Sequence, residues 1–473
     1  MNGRPLAWIR SLTLVLALTG PAAADDLPPS IAAALSANRL SPAAVAMLVQ
    51  DLDAATPSLA HGVTRPFSPA SAMKLVTSLA ALDRFGPAHV WQTRVWRRGV
   101  LRDGVLAGDL ILEGGGDPAL TRERFSALLR AVRAQGIAHI QGDVILDDRL
   151  YALDAIDPGA FDDAPLRPYN APPAALLVDF NLLDLHVRPG PDSVEARLDP
   201  PALLLDNRLQ LDPDGACGGN GIEVRREGDV LRLDGRVAAA CGAQTRPLNL
   251  LCPPANVAAH FRQAWAELGG RHDGQIRLGT LPADAVAVLA FDSPPLAGLV
   301  RDVNKHSNNV MAKMLFLNLG LARFGAPATW AKAEAALRDW LLDSGLDLPE
   351  LVLENGSGLS RKERLTAGGL AALLRWAASR PLYYEFAASL PALGQEGTQR
   401  RNGNGEAAAG RAWLKSGSLN GVRAQAGYLM DAGGRRKVVV FLYNAPDTAA
   451  ANAVFAALID WAMRRSPPAD AVF

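Results

Sequence analysis

The chain predicts a mixed α/β fold of the α+β kind: an antiparallel sheet flanked by helices, split in sequence by a long, mostly β insertion. Three observations predict it. Apolar residues recur at helical spacing toward both ends, as in Leu75, Leu79 and Leu82 and again over 331–342 and 367–377. From about residue 91 to 285 the pattern changes to short strand-like pieces separated by turns. Near the C-terminus two apolar runs, 427–430 and 437–443, read as paired strands joined by a turn at 431–434. At 473 residues the chain exceeds one ordinary domain, and 49% hydrophobic content suffices for large cores. Residues 25–90 and 286–473 are therefore expected to form one unit, interrupted by one or two accessory domains over 91–285.

The first 24 residues read as a signal peptide. Arg4 and Arg10 supply a positive region, 12–19 is a short apolar run, and Ala22-Ala23-Ala24 offers a small-residue cleavage site. That run is too short to span a bilayer comfortably, so an exported, soluble mature chain is expected, in the periplasm if the source is bacterial. A helix follows over 31–40, then an apolar strand over 44–51, a turn around Pro57 and a second short strand near Leu59. Ser68 is the expected N-cap and Pro69 the first residue of the next helix, which Gly86 stops. In the insertion, strands are expected over 108–112, 142–146 and 182–187, with a helix over 122–135. Gly114-Gly115-Gly116 lacks the Lys-Ser/Thr ending of a phosphate loop and reads as a turn. Helices resume from 296, running through 310 to 321, and the chain closes with a helix over 449–464. The basic end of that last helix, Arg464-Arg465, allows at most peripheral membrane contact, and packing against the sheet is expected for the helix itself.

Composition also excludes. Formal net charge is zero at pH 7, so nothing suggests a basic groove for nucleic acid. Neither a CxxC pair nor HExxH occurs, and the seven histidines are scattered, so no metal or cofactor is expected. Of three cysteines, Cys217 and Cys241 flank a hairpin-like stretch over 222–233 and are the favoured disulfide, leaving Cys252 free. Pairing of Cys241 with Cys252 is the rival.

Only seven of the 48 basic residues are lysine. A lysine can lose its proton when desolvated, whereas an arginine effectively cannot. Two of these lysines sit in short motifs: Ser71-Ala72-Met73-Lys74 at a helix start, and Lys415-Ser416-Gly417-Ser418 at a strand end. Between them lies Ser307-Asn308-Asn309, with Lys305 upstream as an apparent helix-surface residue. Each motif alone is weak; their order carries the weight. Ser71 needs a base to become a nucleophile, and Lys74 serves if burial and the charge of Lys415 lower its pKa. Ser307 can relay the proton to a leaving amine, and Asn309 offers a donor and an acceptor to a peptide backbone. The backbone N–H groups of Ser71 and Ser418 would form an oxyanion hole. Lys415, Ser416 and Ser418 would bind a terminal carboxylate, while Gly417 leaves room for a substrate lying along the strand.

With these motifs the chain resembles the D-alanyl-D-alanine carboxypeptidase/endopeptidases among the low-molecular-mass class C penicillin-binding proteins. The resemblance extends to Gly108-Asp109-Leu110, Gly116-Asp117-Pro118, the run Gly142 to Asp148, Asn170-Ala171-Pro172-Pro173 and the run Asn355 to Arg361. It implies a serine β-lactamase/transpeptidase-like catalytic domain holding inserted domains, which fits the long gap between Ser71 and Ser307. It implies a periplasmic hydrolase acting on peptidoglycan stem peptides and acylated at Ser71 by β-lactams. It also suggests that Arg361, Tyr169 and Asn420 line a substrate side-chain pocket, with Asp163 the nearest acid to Tyr169. Lys-Ser-Gly stands where the family usually has Lys-Thr-Gly, and Asn355 where aspartate is common. A β-lactamase or esterase with the same acylation apparatus is the rival enzyme, but no Glu-bearing deacylation loop is apparent. A non-catalytic peptidoglycan-binding protein is the remaining alternative, disfavoured by the intact motifs. Oligomeric state is not legible.

Overall fold

The computed structural model describes residues 27–218, 221–401 and 408–464. The expected signal segment and Arg465 lie outside the described residues. The expected α/β class is the one found. Its centre is a five-stranded antiparallel sheet in the order Ala412–Leu419, Val422–Met430, Arg436–Asn444, Val45–Asp51, Leu59–His61. The strands that form the middle of this sheet are buried on both faces. That is why Val438-Val439-Val440-Phe441-Leu442-Tyr443 is a continuous apolar run rather than an alternating one.

Alternate side chains divide between two cores. Ala46, Leu48, Val438, Val440 and Leu442 face a large helical layer that includes Lys74–Phe85, Leu296–Lys305, Asn309–Phe324 and Ala367–Ala378. Val45, Met47, Val49, Val439, Phe441 and Tyr443 face the first and last helices, Pro29–Ala37 and Ala451–Met463. The closing helix thus packs on the sheet, burying Val454, Leu458 and Ile459. Among the described residues, no helix is long and apolar enough to cross a membrane.

The insertion builds its own sheets. Seven strands between Gln92 and Asp292 form one mixed sheet, covered by the helices Arg122–Ala134 and Pro253–Glu267. Two three-stranded sheets lie between them in sequence, sharing a small core of Leu183, Leu185, Leu231 and Leu233. The last strand of the seven, Val286–Asp292, pairs with Gln92–Arg102, so the boundary drawn at 285 falls one strand too early. Ile222–Glu227 and Val230–Ala238 are antiparallel neighbours, and Cys217 and Cys241 on either side are joined in a disulfide; Cys252 is free and exposed. Gly114-Gly115-Gly116 is a close backbone crossing: a Cβ on Gly115 would lie 1.8 Å from the Gln92 carbonyl.

Candidate active site

Two local structures differ from expectation near the first motif. Ser68 does not cap the helix; its N–H donates to Asn444 Oδ1 at 2.8 Å. Pro69 is already helical, and Ser71 lies in a 3₁₀ turn, Ala70–Met73, that feeds the α-helix beginning at Lys74. Ala70 before it is held at φ 43°, a conformation a side chain adopts only at a cost. The turn is wedged between two glycines. A Cβ on Gly358 would stand 1.8 Å from the Ala70 carbonyl, and one on Gly417 would stand 2.7 Å from the Pro69 carbonyl and 3.0 Å from the Ser71 nitrogen. Glycine is required at both places because backbone packs on backbone there.

The second motif sits at a break. Helix was expected from 296 through 310 and on to 321, but the chain leaves the helix after Lys305 and restarts at Asn309, with Asn308 as N-cap to the Met311 N–H at 3.1 Å. Ser307 occupies the break at φ 58°. Lys415 stands on the edge strand of the five-stranded sheet.

These three elements bring Ser71, Lys74, Ser307, Asn309 and Lys415 together. Lys74 is completely buried. Its Nζ lies 3.0 Å from Ser71 Oγ, 2.6 Å from Asn309 Oδ1 and against the Ser357 carbonyl. Burial first, then the charge of Lys415, holds its pKa well below the ordinary lysine value; Lys313 acts in the same direction and Glu363 against it. Lys415 is equally buried, and its Nζ donates to Ser307 Oγ at 3.0 Å and to the Ser416 carbonyl at 2.7 Å. Burial pushes its pKa down to about 7. Asn309 Nδ2 donates to the Tyr169 carbonyl at 3.2 Å, which joins this cluster to the loop carrying the expected side-chain pocket.

In that loop, Tyr169 donates its hydroxyl to Asp162 Oδ2 at 2.7 Å, and Asn170 donates to Asp162 Oδ1 at 2.7 Å. The acid beside Tyr169 is thus Asp162 rather than the expected Asp163. Arg361 stacks on the Phe161 ring, 4.7 Å from its centroid, and donates to the Asn420 carbonyl at 3.1 Å, so Arg361 and Asn420 are neighbours. Ser416 Oγ bonds Thr398 Oγ1 at 2.7 Å, and Ser418 Oγ accepts from Arg423 directly across the strand pair.

Several residues were missed by sequence reasoning. Lys305 is no surface lysine: it is 6% exposed and ion-paired with Glu396. Asn355 holds the Gly-Ser-Gly loop, accepting from the Ser357 N–H at 3.0 Å and Ser357 Oγ at 2.6 Å and donating to the Leu359 carbonyl at 2.9 Å. An asparagine therefore supplies the acceptor an aspartate would, plus a donor. Lys313, whose pKa burial pushes down to about 8, and Glu363 also went unread. Lys313 carried a signal: it is a scarce lysine inside the apolar run Val310 to Leu319.

A serine hydroxyl held on a desolvated lysine amine, with a second buried lysine behind a second serine, defines a serine acyl-transfer hydrolase of the penicillin-recognising class. Comparison with known proteins agrees. The chain belongs to the D-Ala-D-Ala carboxypeptidase 3 (S13) family, whose model matches residues 27–465. It is 32% identical over 387 residues to a D-alanyl-D-alanine carboxypeptidase of Actinomadura sp. strain R39, covering 76% of this chain and 70% of that one. It is 25% identical over 393 residues to the D-alanyl-D-alanine carboxypeptidase DacB of Haemophilus influenzae, covering 80% and 81%. The crystal structure of penicillin binding protein 4 (dacB) from Haemophilus influenzae superposes with a TM-score of 0.76 at 22% identity, over 89% of this chain and 96% of that one, and the same protein has been solved with a β-lactam. The chain is a serine-type D-Ala-D-Ala carboxypeptidase in family and fold.

Proposed function

We propose that Ser71 is the nucleophile and Lys74 its general base, and that the enzyme hydrolyses the terminal D-Ala-D-Ala bond of peptidoglycan stem peptides, and D,D-crosslinks between them, through an acyl-enzyme. The observation that carries this is the surroundings of Lys74 Nζ. A neutral amine has two N–H groups and one lone pair. Asn309 Oδ1 and the Ser357 carbonyl accept the two N–H groups, which leaves the lone pair to receive the Ser71 proton. Ser71 Oγ then attacks the scissile carbonyl, whose oxygen becomes an oxyanion facing the Ser71 and Ser418 N–H groups. The proton passes by way of Ser307 to the departing amine, and water later cleaves the ester.

Lys415 has two roles. Its charge keeps Lys74 neutral, and with the Ser416 and Ser418 hydroxyls and the nearby Arg423 it faces the carboxylate of the terminal D-alanine. The substrate lies beside the edge strand Ala412–Leu419 as an added strand, in the room Gly417 leaves. Arg361, Tyr169 and Asn420 line the pocket for the substrate side chain, with Asp162 orienting Tyr169. A β-lactam presents the same carbonyl and carboxylate and acylates Ser71. Cleavage of the expected signal peptide would deliver the enzyme to the periplasm, where its substrate is.

Incubation with a fluorescent penicillin tests the assignment. The wild-type protein should be labelled covalently and should release D-alanine from a pentapeptide, and Ser71→Ala should do neither. A wild-type protein that takes up no penicillin, or a Ser71→Ala variant that still labels, refutes it.

A further inference from the structure

The loop that delivers the Ser357 carbonyl to Lys74 is itself built around a buried carboxylate. Glu363 is 0% exposed. One of its oxygens, Oε1, accepts three successive backbone N–H groups, from Glu354 at 3.1 Å, Asn355 at 3.0 Å and Gly356 at 3.0 Å. Three consecutive amides converging on one oxygen make an anion nest. The other oxygen, Oε2, is buried without a hydrogen bond. The nest fixes the turn just before Ser357. Thr77, one helical turn beyond Lys74, closes it from the other side by donating to the Gly356 carbonyl at 2.6 Å. Ser360 anchors the far end, accepting from the Lys362 N–H at 2.9 Å and the Glu363 N–H at 3.0 Å.

The same carboxyl bears on the charge of the site. Lys74 lies among Lys415 on the edge strand, Lys313 on the helix Asn309–Phe324, and Glu363 on the loop, and of these only Glu363 can oppose the lysines. Burial raises the Glu363 carboxyl above the ordinary carboxylate value, and the three amides, joined by Lys74 once it is an ammonium, pull it back toward the ionised form.

We propose that Glu363 is a positioning residue for acylation: its carboxylate shapes the turn that holds the Ser357 carbonyl on Lys74, and its negative charge stabilises the ammonium that forms when Lys74 takes the Ser71 proton. Lys313 sets the opposite limit by making that ammonium less favourable. The pair tunes the base between too weak and permanently charged. This rests on the reading of Lys74 as general base.

The test uses the pH dependence of penicillin acylation by the full-length protein. Glu363→Gln keeps an oxygen for the three amides and removes the charge. Lys74 should become a weaker base, so the acidic limb of the profile should move to lower pH by about one unit, and the plateau rate should fall about ten-fold. Lys313→Met removes a cation and should move the limb to higher pH. A purely structural Glu363 would lower the rate of Glu363→Gln, if at all, without moving the limb. Opposite displacements by the two variants support the proposal. An unmoved limb in a folded Glu363→Gln overturns it, and should that variant fail to fold, an unmoved limb in Lys313→Met does so. Loss of labelling in the wild-type protein would instead overturn the underlying reading of Ser71 and Lys74.

Discussion

Lys415 and Lys437 are buried on the same five-stranded sheet, two strands apart, and are treated in opposite ways. Lys437 is 2% exposed and meets Asp431 Oδ2 at 3.1 Å, Asp51 Oδ1 at 3.8 Å and the Ala462 carbonyl at 2.9 Å. Asp431 in turn accepts from the Gly433 and Arg435 N–H groups at 2.8 and 3.0 Å. This is a satisfied buried ion pair. Lys415 is 0% exposed, and its hydrogen bonds go to a hydroxyl and a carbonyl, with burial depressing its pKa to about 7. Burying a cation this way costs stability, and under the proposed function the carboxylate of the substrate is the partner that offsets it. One lysine is paired with carboxylates within the fold; the other is the one the proposed function assigns to the substrate carboxylate.

Substitutions can sharpen or break this contrast. The largest effect belongs to the base that Lys415 influences. Lys74→Arg keeps a positive charge and cannot give up its proton, so acylation should fall by about 10³-fold or more, read as the second-order rate constant for a fluorescent penicillin. Next is Lys437→Met, which leaves the fully buried Asp431 with Arg435, 3.4 Å away, in place of its nearer cation. It should lose about 3 kcal/mol in denaturant unfolding while the acylation rate of the folded protein is unchanged. Smaller and opposite in sign is Lys415→Met, which should gain about 1 kcal/mol of stability while weakening binding of peptides that end in a carboxylate.

That last gain should depend on pH. Folded Lys415 releases its proton near 7 and unfolded Lys415 near the ordinary lysine value, so the wild-type penalty is full below pH 7 and fades as pH rises toward that value. The advantage of Lys415→Met should shrink over the same window. Michaelis constants for peptide substrates should rise as pH passes about 7, because the free enzyme then loses the charge that receives the carboxylate. A Lys415→Met protein less stable than wild type at pH 6 would break the comparison.

The cluster of Ser71, Lys74, Ser307, Asn309 and Lys415 was legible in the sequence, because the chemistry proposed for it needs particular side chains and the scarcity of lysine made Lys74 and Lys415 conspicuous. The central sheet was legible for the same kind of reason: a run such as Val438 to Tyr443 has few alternatives to a strand buried on both faces. What escaped was set by tertiary contact. Ser68 looked like a cap, but the turn begins one residue later, at Pro69, and the Asn444 side chain, from the far end of the chain, clasps the Ser68 backbone through both its N–H and its carbonyl while its hydroxyl makes no capping bond. The break in the helix from 296 was marked only by Asn308 and Asn309, cap-forming residues, since Lys305, His306 and Ser307 are all tolerated in helices. Lys305 read as a surface lysine because nothing local announces Glu396. Glu363 resembled any polar loop residue, since an anion nest consists of backbone groups that leave no mark on composition.

The central claim is that Lys74 is a neutral amine in the resting enzyme. With only seven lysines in the chain, selective ¹⁵N labelling of lysine Nζ, assigned through a Lys74→Met variant, allows its titration to be followed by NMR. Lys74 should titrate well below the ordinary lysine value and already be neutral at the pH where acylation is fastest. A Lys74 resonance that stays in its ammonium position up to about pH 10 would contradict the account.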